Sequence, residues 1–267
     1  MTAPALASGT RSPGTRRWVA YGVLAVAILA FAAWAWSRVH GLSEDTQATN
    51  PIIRWEWLFT RERTPDELWT RTKQHLELTV VPVVLGTAIA AVLSAIALRF
   101  RWTVGPITTF AGFLYTIPSL ALFGVLVTYN SNWTAAVIAL TSYTLLILVR
   151  NMVAGIDGVP QAAIDAADGL GMGRVQRFFK VELPLALPVI LTGIRVATVT
   201  TIGLVGISAV IQLGGVAYFI FDGYRREFTT EVVVGSGLAV LLAVGLDLLL
   251  RLVERLATPW SRRAGLR

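Results

Sequence analysis

The chain has 267 residues, of which 55% are hydrophobic and only 15% are charged, and its mean hydropathy is +0.64. A soluble domain of this composition would not also contain several long runs without charge, so we expect an integral membrane protein. The sequence contains no cysteine, which excludes disulfides, thiol nucleophiles and cysteine metal sites within it, and its formal net charge of +7 must be judged by where the basic residues lie.

Six apolar runs are long enough to cross a bilayer, which takes about 20 residues per helix. They are residues 18–36, 76–98, 104–127, 133–149, 185–213 and 232–252. The first run also fits a cleaved signal peptide, because it follows Arg16 and Arg17 and ends in Ala33-Trp34-Ala35. Cleavage would leave the orientation of the later spans unchanged.

Lys and Arg residues near the ends of spans indicate which side of the membrane each loop occupies. If the N-terminus is inside, the inner segments carry more of them than the outer loops, among them Arg150, Arg174 and Lys180. We therefore predict a cytosolic N-terminus and a basic inner surface that meets anionic lipid headgroups. Nucleic acid is not needed to explain the charge.

The loop between the first two runs contains Thr64-Pro65-Asp66-Glu67, a capping-box pattern with proline at the first helical position. Apolar residues then recur on one helical face as far as Leu76. This pattern predicts a helix that lies on the outer surface before the chain enters the bilayer.

A polar segment, residues 160–184, separates the fourth and fifth runs. Pro160 can open a helix, and Gly169 and Gly171 can end it. Four small or apolar residues at i, i+3, i+4 and i+7 predict one smooth helical face: Ala163, Ala166, Ala167 and Leu170. A DNA-binding helix-turn-helix has a similar pattern, but here both ends continue into membrane spans.

The polar segment resembles the EAA loop of ABC importer permeases. That loop reads Glu-Ala-Ala, three residues, Gly, nine residues, an aliphatic residue, one residue and Leu-Pro. The matching residues here are Asp165, Ala166, Ala167, Gly171, Val181, Leu183 and Pro184. The single departure is Asp165 in place of Glu, which keeps the charge on a shorter side chain.

The resemblance extends over about residues 69–253. Residues 115–122, 169–172 and 182–190 are similar to the osmoprotectant branch, whose members import glycine betaine, choline, carnitine or proline. Gln212 and residues 216–218 depart from the glycine-rich sequence that is usual in that branch. An importer of another small solute, such as an amino acid, is the alternative within the family.

The resemblance implies an all-α, polytopic fold of six transmembrane helices, in which one N-terminal span precedes the five-span core of a type I ABC importer. It implies a disordered cytosolic tail (1–17), a span with an extracytoplasmic loop (18–68), a permease domain (69–253) and a basic cytosolic tail (254–267).

It also implies the partners of a bacterial inner-membrane permease. Because the sequence has no Gly-rich Walker loop, ATP hydrolysis would occur on separate cytosolic ATPase subunits. The helix at residues 160–171 would couple them to transport. A second permease chain, identical or related, would complete the pore, and an extracytoplasmic binding protein would deliver the solute. No enzymatic activity and no cofactor are expected.

Three residues within the apolar runs are candidates for a gate or the pore. Pro118 should free the carbonyl of Leu114 and kink the third span, as a gate hinge or as a fixed bend. Arg195 is an ionisable group inside a span, which either faces the pore or extends to the membrane surface. Tyr115 is one of several aromatic residues that fit either cation–π binding of a quaternary ammonium or packing at the membrane interface. The others are Tyr129, Trp133, Tyr143 and Tyr218.

Two further patterns bear on the alternatives. Asp247 and Arg251 have the i, i+4 spacing of a structural ion pair. A stand-alone channel or secondary transporter would need intramembrane charge relays or inverted repeats, and the sequence shows neither. His40 and His75 are the only histidines and lie near no carboxylate cluster, which gives no support to a metal-dependent enzyme.

Overall fold

The computed structural model of the chain describes residues 64–260. The predicted span at 18–36, the tail at 1–17 and the last seven residues of the chain lie outside this part. Within it, the secondary structure is helical and no strand is present. The predicted all-α fold is confirmed.

Nine α-helices follow one another in the described part. Their bounds are α1 Thr64–Arg99, α2 Val104–Thr116, α3 Ser119–Tyr129, α4 Asn132–Asp157, α5 Gln161–Gly169, α6 Arg174–Arg177, α7 Leu183–Ile207, α8 Ala217–Arg225 and α9 Thr229–Ala257. Two 3-10 turns lie at Arg101–Thr103 and Ser208–Ile211, and a π-helical turn at Phe178–Glu182 joins α6 to α7.

Four of these helical stretches are long and apolar enough to cross a membrane: α1, α4, α9 and the continuous stretch from α6 through α7. α2 and α3 are long and apolar enough to cross a membrane only when they are taken together as one broken span. These five correspond to five of the six predicted runs. The sixth lies outside the described residues, so the count of six remains a prediction.

The third predicted span differs from the expected kinked helix. It is broken, because α2 ends at Thr116, α3 begins at Ser119, and the two helices meet at 90°. Ile117 has φ −63° and ψ 127°, the extended conformation that the ring of Pro118 imposes on the preceding residue. The prediction of a kink was wrong, since the proline ends one helix and caps the next.

The predicted surface helix before the second span is also different in the structure. α1 runs without interruption from Thr64 to Arg99, and at 1.5 Å per residue its 36 residues extend about 54 Å. The hydrocarbon core of a bilayer is only about 30 Å thick. The capping-box turn is therefore the projecting end of the span itself.

α4 is the centre of the bundle. In the most apolar 18-residue stretch of α4, 61% of the residues are buried, against 6% in that of α9 at the periphery. Small residues on α4 let its neighbours approach closely. One core cluster includes Leu78, Phe123, Ala136, Leu140 and Val205, from α1, α3, α4 and α7. A second core cluster continues the packing of α4 against α1, α2 and α7.

The two ends of the bundle are distinguished by two polar contacts. Arg101, after α1, forms an ion pair of 2.6 Å with Asp157 at the end of α4, beside the polar segment. Asn132 at the start of α4 donates to the Ile211 carbonyl at 2.8 Å, beyond the end of α7. The polar segment thus lies at one end, and the starts of α1 and α9 lie at the opposite end.

Candidate functional site

The polar segment forms a compact helical hairpin. Pro160 has φ −57° and ψ 130° and precedes the first turn of α5. After α5 the chain reverses at Gly171, continues through α6 and the π-helical turn, and re-enters the bundle as α7. The predicted helix and its glycine-mediated end are both present.

Gly171 ends α5 in a Schellman motif. Its φ of 74° is left-handed, a conformation that glycine adopts without a steric penalty. The Met172 N–H donates to the Ala167 carbonyl at 3.1 Å, and the Gly171 N–H donates to the Asp168 carbonyl at 2.9 Å. These are the two bonds of that motif, and they satisfy carbonyls that the end of a helix leaves free.

The faces of α5 differ from the prediction of one smooth alanine face. Ala167 is buried and Ala163 is half-buried against the rest of the chain, whereas Ala166 and Leu170 are exposed. Asp165 is also exposed and accepts a hydrogen bond of 2.9 Å from the Gln161 amide. The helix therefore has an inner face that packs against the chain and an outer face that is exposed in the described part of the structure.

Arg177 ties the two arms of the hairpin together. Its Nη1 lies 2.7 Å from both carboxylate oxygens of Asp168 on α5, and its Nε donates to Glu182 at 2.7 Å. Glu182 is the last residue of the π-helical turn. One guanidinium thus connects the end of α5 to the start of α7.

The π-helical turn stands directly before Pro184. The Leu183 N–H donates to the Phe178 carbonyl, five residues back, and Pro184 itself has no N–H to offer the Lys180 carbonyl. Val181, Leu183 and Pro184 are all half-buried. Leu183 also lines an apolar cavity of about 190 Å³ together with Ser94, whose buried hydroxyl has no hydrogen-bond partner among the described residues.

The close contact of α4 with α7 anchors both arms. A Cβ on Gly155 would lie 3.1 Å from the Ala186 carbonyl oxygen, and a Cβ on Gly193 would overlap the side chain of Asn151. Both crossings depend on the absence of a side chain. The hairpin thus connects two helices, α4 and α7, that pack closely against each other.

The remaining predicted residues lie away from the polar segment, in two separate places. Tyr115 precedes the break at Pro118, and its ring meets that of Tyr143 edge-on, with centroids 6.1 Å apart. The Tyr143 hydroxyl donates to the Ile117 carbonyl at 2.7 Å and so satisfies a backbone group that the break leaves free.

Arg195 lies in a cluster of four charges between α7 and α9. It pairs with Asp247 at 3.1 Å and with Glu254 at 3.1 Å, and Arg251 pairs with Asp247 at 2.8 Å. The predicted Asp247–Arg251 pair is present. The ion pairs of Arg195 with Asp247 and Glu254, which lie seven residues apart on α9, were not predicted. Within residues 64–260, no group of three His, Asp or Glu side chains is placed to hold a metal ion.

Comparisons with known proteins agree with this architecture. Residues 83–262 match the family described as binding-protein-dependent transport system inner membrane component. The osmoprotectant import permease protein OsmW of Salmonella typhimurium is 37% identical over 194 residues, which cover 70% of this chain and 90% of that one. The glycine betaine/carnitine/choline transport system permease protein OpuCB of Bacillus subtilis is 32% identical over 195 residues, covering 72% and 89%.

A solved structure shares the fold. A chain from the inward-facing conformations of the MetNI methionine ABC transporter superposes with a TM-score of 0.64 at 19% identity, over 74% of this chain and 99% of that one. At this identity the likeness concerns architecture and says nothing of the solute.

Proposed function

The chain belongs to the binding-protein-dependent transport system inner membrane components, the permease subunits of ABC importers, and we propose that it imports a compatible solute, driven by separate ATPase subunits that dock on the polar segment. The solute would be a small quaternary ammonium compound such as glycine betaine, choline or carnitine, or proline. The relatives at 37% and 32% identity whose names include such solutes support this choice.

The outer surface of the polar segment supports docking of a partner. Leu170, Val175 and Phe179 are 77%, 72% and 62% exposed on this surface. The segment lies between two spans and includes Asp165, Asp168, Arg174 and Arg177, so it belongs in water and not among lipid tails. Exposed apolar side chains in such a place indicate a surface that another protein covers.

The Arg177 bridge is the single observation that carries the coupling proposal. A partner that moved α5 would pull on Asp168, and through Arg177 on Glu182 at the start of α7. α7 packs along α4 in the centre of the bundle. Rigid movement of α5 would thus be passed to the helices that surround the solute path.

The proposed arrangement places the polar segment and the N-terminus in the cytosol. The opposite end of the bundle then faces an extracytoplasmic binding protein, as the basic residues at the inner ends of the spans favour. One chain supplies one docking hairpin, so a complete importer would contain two permease chains, identical or related, with an ATPase on each. The matched EAA residues Asp165, Ala166, Ala167, Gly171, Val181, Leu183 and Pro184 would form the docking and transmission surface.

Transport by the purified assembly tests this function. Proteoliposomes that contain the chain, its ATPase and its binding protein should take up labelled glycine betaine or choline only when ATP is supplied to the side of the polar segment. Uptake that runs on a proton gradient without ATP would favour a secondary transporter and contradict the proposal. Asp165→Arg should reduce co-purification of the ATPase while leaving membrane insertion intact.

A further inference from the structure

A cavity of about 360 Å³ opens at the end of the bundle opposite the polar segment. It is lined by Arg71 of α1, by Ala209 and Gln212 after α7, and by four residues of α8, which are Tyr218, Phe221, Asp222 and Arg225. We call it the Tyr218 cavity. Its volume is within the range of small-molecule sites, about 300–1,000 Å³.

The wall of the cavity includes a residue whose backbone conformation is strained. Gln212 has φ 63°, a left-handed conformation that is uncommon for a residue with a side chain. The following loop is pressed against α1, because a Cβ on Gly215 would overlap the backbone and Cβ of His75. The buried His75 ring lies 3.3 Å from the Gly214 carbonyl oxygen. Strain of this kind persists where the surroundings enforce it and is concentrated at functional sites.

The charges around the cavity are not balanced. Asp222 is already paired with Arg226, which also binds the buried carboxylate of Glu231 at 2.9 Å. Arg71 stacks on the Tyr218 ring, 3.7 Å from its centroid, and forms no ion pair with any residue between 64 and 260. The same holds for the exposed Arg225. Arg71 and Arg225 therefore both line the cavity without an ion-pair partner among residues 64–260.

We propose that the Tyr218 cavity is a binding site for a small zwitterionic solute, whose carboxylate is held by Arg71 and Arg225. Guanidinium groups bind carboxylates through paired N–H donors. The Gln212 amide adds a donor at the wall. The Phe221 ring and the Asp222 carboxylate lie on the same cavity and complement the cationic end of such a solute. This inference rests on the proposed import of compatible solutes and adds a site for the solute on the permease itself.

A comparison of glycine betaine with choline isolates the contribution of the solute's carboxylate. Both carry a trimethylammonium group, but only glycine betaine has a carboxylate. Uptake of each labelled solute would be measured with the full importer in proteoliposomes, for wild type, Arg71→Gln and Arg225→Gln. Arg150→Gln removes an exposed arginine at the other end of the bundle and is the matched control. ATPase stimulation by the solute-loaded binding protein is recorded in parallel.

The proposal predicts that each cavity variant loses about tenfold in glycine betaine uptake, as expected for a lost charge-assisted hydrogen bond. Choline uptake and ATPase stimulation should stay within about twofold of wild type, as should every measurement on Arg150→Gln. Arg225→Gln keeps the test valid if Arg71→Gln fails to fold, since Arg225 is exposed and does not stack on Tyr218.

Three results would overturn the proposal. An equal fall for both solutes together with lower ATPase stimulation would mean that the arginines bind an acidic surface of the binding protein. Unchanged uptake in both variants would remove the site altogether. If wild type showed no ATP-driven uptake of glycine betaine, choline, carnitine or proline, the proposed function would be refuted as well, and this outcome is distinct because it does not depend on the variants.

Discussion

Gly171 has a role that its backbone geometry defines. Its φ is 74°, and apart from its two chain neighbours no described residue has an atom within 4 Å of the place where a Cβ would be. Gly171→Ala should therefore weaken the end of α5 by about 1 kcal/mol through backbone strain alone. Amide hydrogen exchange in α5 should become about fivefold faster.

Gly169 provides the control for this prediction. It also has open space around it, but it is the last residue of α5 and its φ is not left-handed. Gly169→Ala should leave exchange unchanged or slow it slightly, because alanine favours a helix. Equal acceleration in the two variants would show that the left-handed turn is not what ends α5.

Arg177 offers a residue-scale test of transmission. Arg177→Gln would remove both ionic links, to Asp168 and to Glu182, while α5 keeps its exposed face for a partner. The solute transported per ATP hydrolysed should fall by about threefold or more, with the ATPase still bound. Arg174→Gln removes an exposed charge three residues earlier and should leave the ratio unchanged. Equal ratios in the two variants would contradict the role of the bridge.

The sequence predicted these residues unevenly. Gly171 was found because a glycine two residues beyond an alanine-rich helix has few other uses, and the structure places it in the expected turn. The contacts of Arg177 were not predicted, because the fold of the hairpin determines that its guanidinium reaches Asp168 on one arm and Glu182 on the other. A pattern in the sequence shows spacing along one helix but not contacts between two arms.

At the scale of elements, the Tyr143 side chain of α4 donates a hydrogen bond to the break between α2 and α3. Tyr143→Phe would leave the Ile117 carbonyl without its partner and should lower the free energy of unfolding by about 1 kcal/mol. Thermal unfolding of the purified chain in detergent measures this as a lower midpoint. Tyr129→Phe, on a residue that is 83% exposed at the end of α3, should have no effect. A similar loss in both would show that the bond at the break is not stabilising.

The ion pairs between α7 and α9 form a second element-scale contact. Arg195 is 25% exposed in its side chain and bridges two carboxylates of α9. Arg195→Gln should lower the free energy of unfolding by about 2 kcal/mol, since two half-buried carboxylates lose a partner. Arg251 pairs with the same Asp247, but its side chain is 51% exposed. Arg251→Gln should therefore lower the free energy of unfolding by less than about 1 kcal/mol. If the two variants lowered the thermal unfolding midpoint equally, the view that Arg195 joins the helices would be refuted.

Element boundaries show where the sequence was informative and where it was not. Apolar length located α1, α4, α7 and α9, because a bilayer demands that length whatever the neighbours are. It did not distinguish a kinked span from two helices at 90°, because an Ile-Pro pair fits either and the packing of α3 against α4 decides. It also did not separate the inward alanines of α5 from the outward ones, since alanine suits both surfaces.

On the largest scale, residues 64–260 have a central helix pair, a hairpin at one end and a charged cavity at the other. The membrane class followed from composition, and the family followed from the spacing within residues 160–184, which both the family match and the relatives confirm. The Tyr218 cavity was not foreseen, because it joins α1 to the loop and helix after α7, which are far apart in the chain.

The central claim is that the outer face of α5 contacts an ATPase on the cytosolic side. The 267 residues contain no cysteine, so a single substitution gives this chain one unique thiol. Leu170→Cys on the outer face and Ala163→Cys on the inner face should be compared in intact membranes with the complete importer. Leu170→Cys should cross-link to the ATPase subunit and resist a membrane-impermeant maleimide added outside the cell, whereas Ala163→Cys should not cross-link. Labelling of Leu170→Cys from the outside, without a cross-link to the ATPase, would contradict the account.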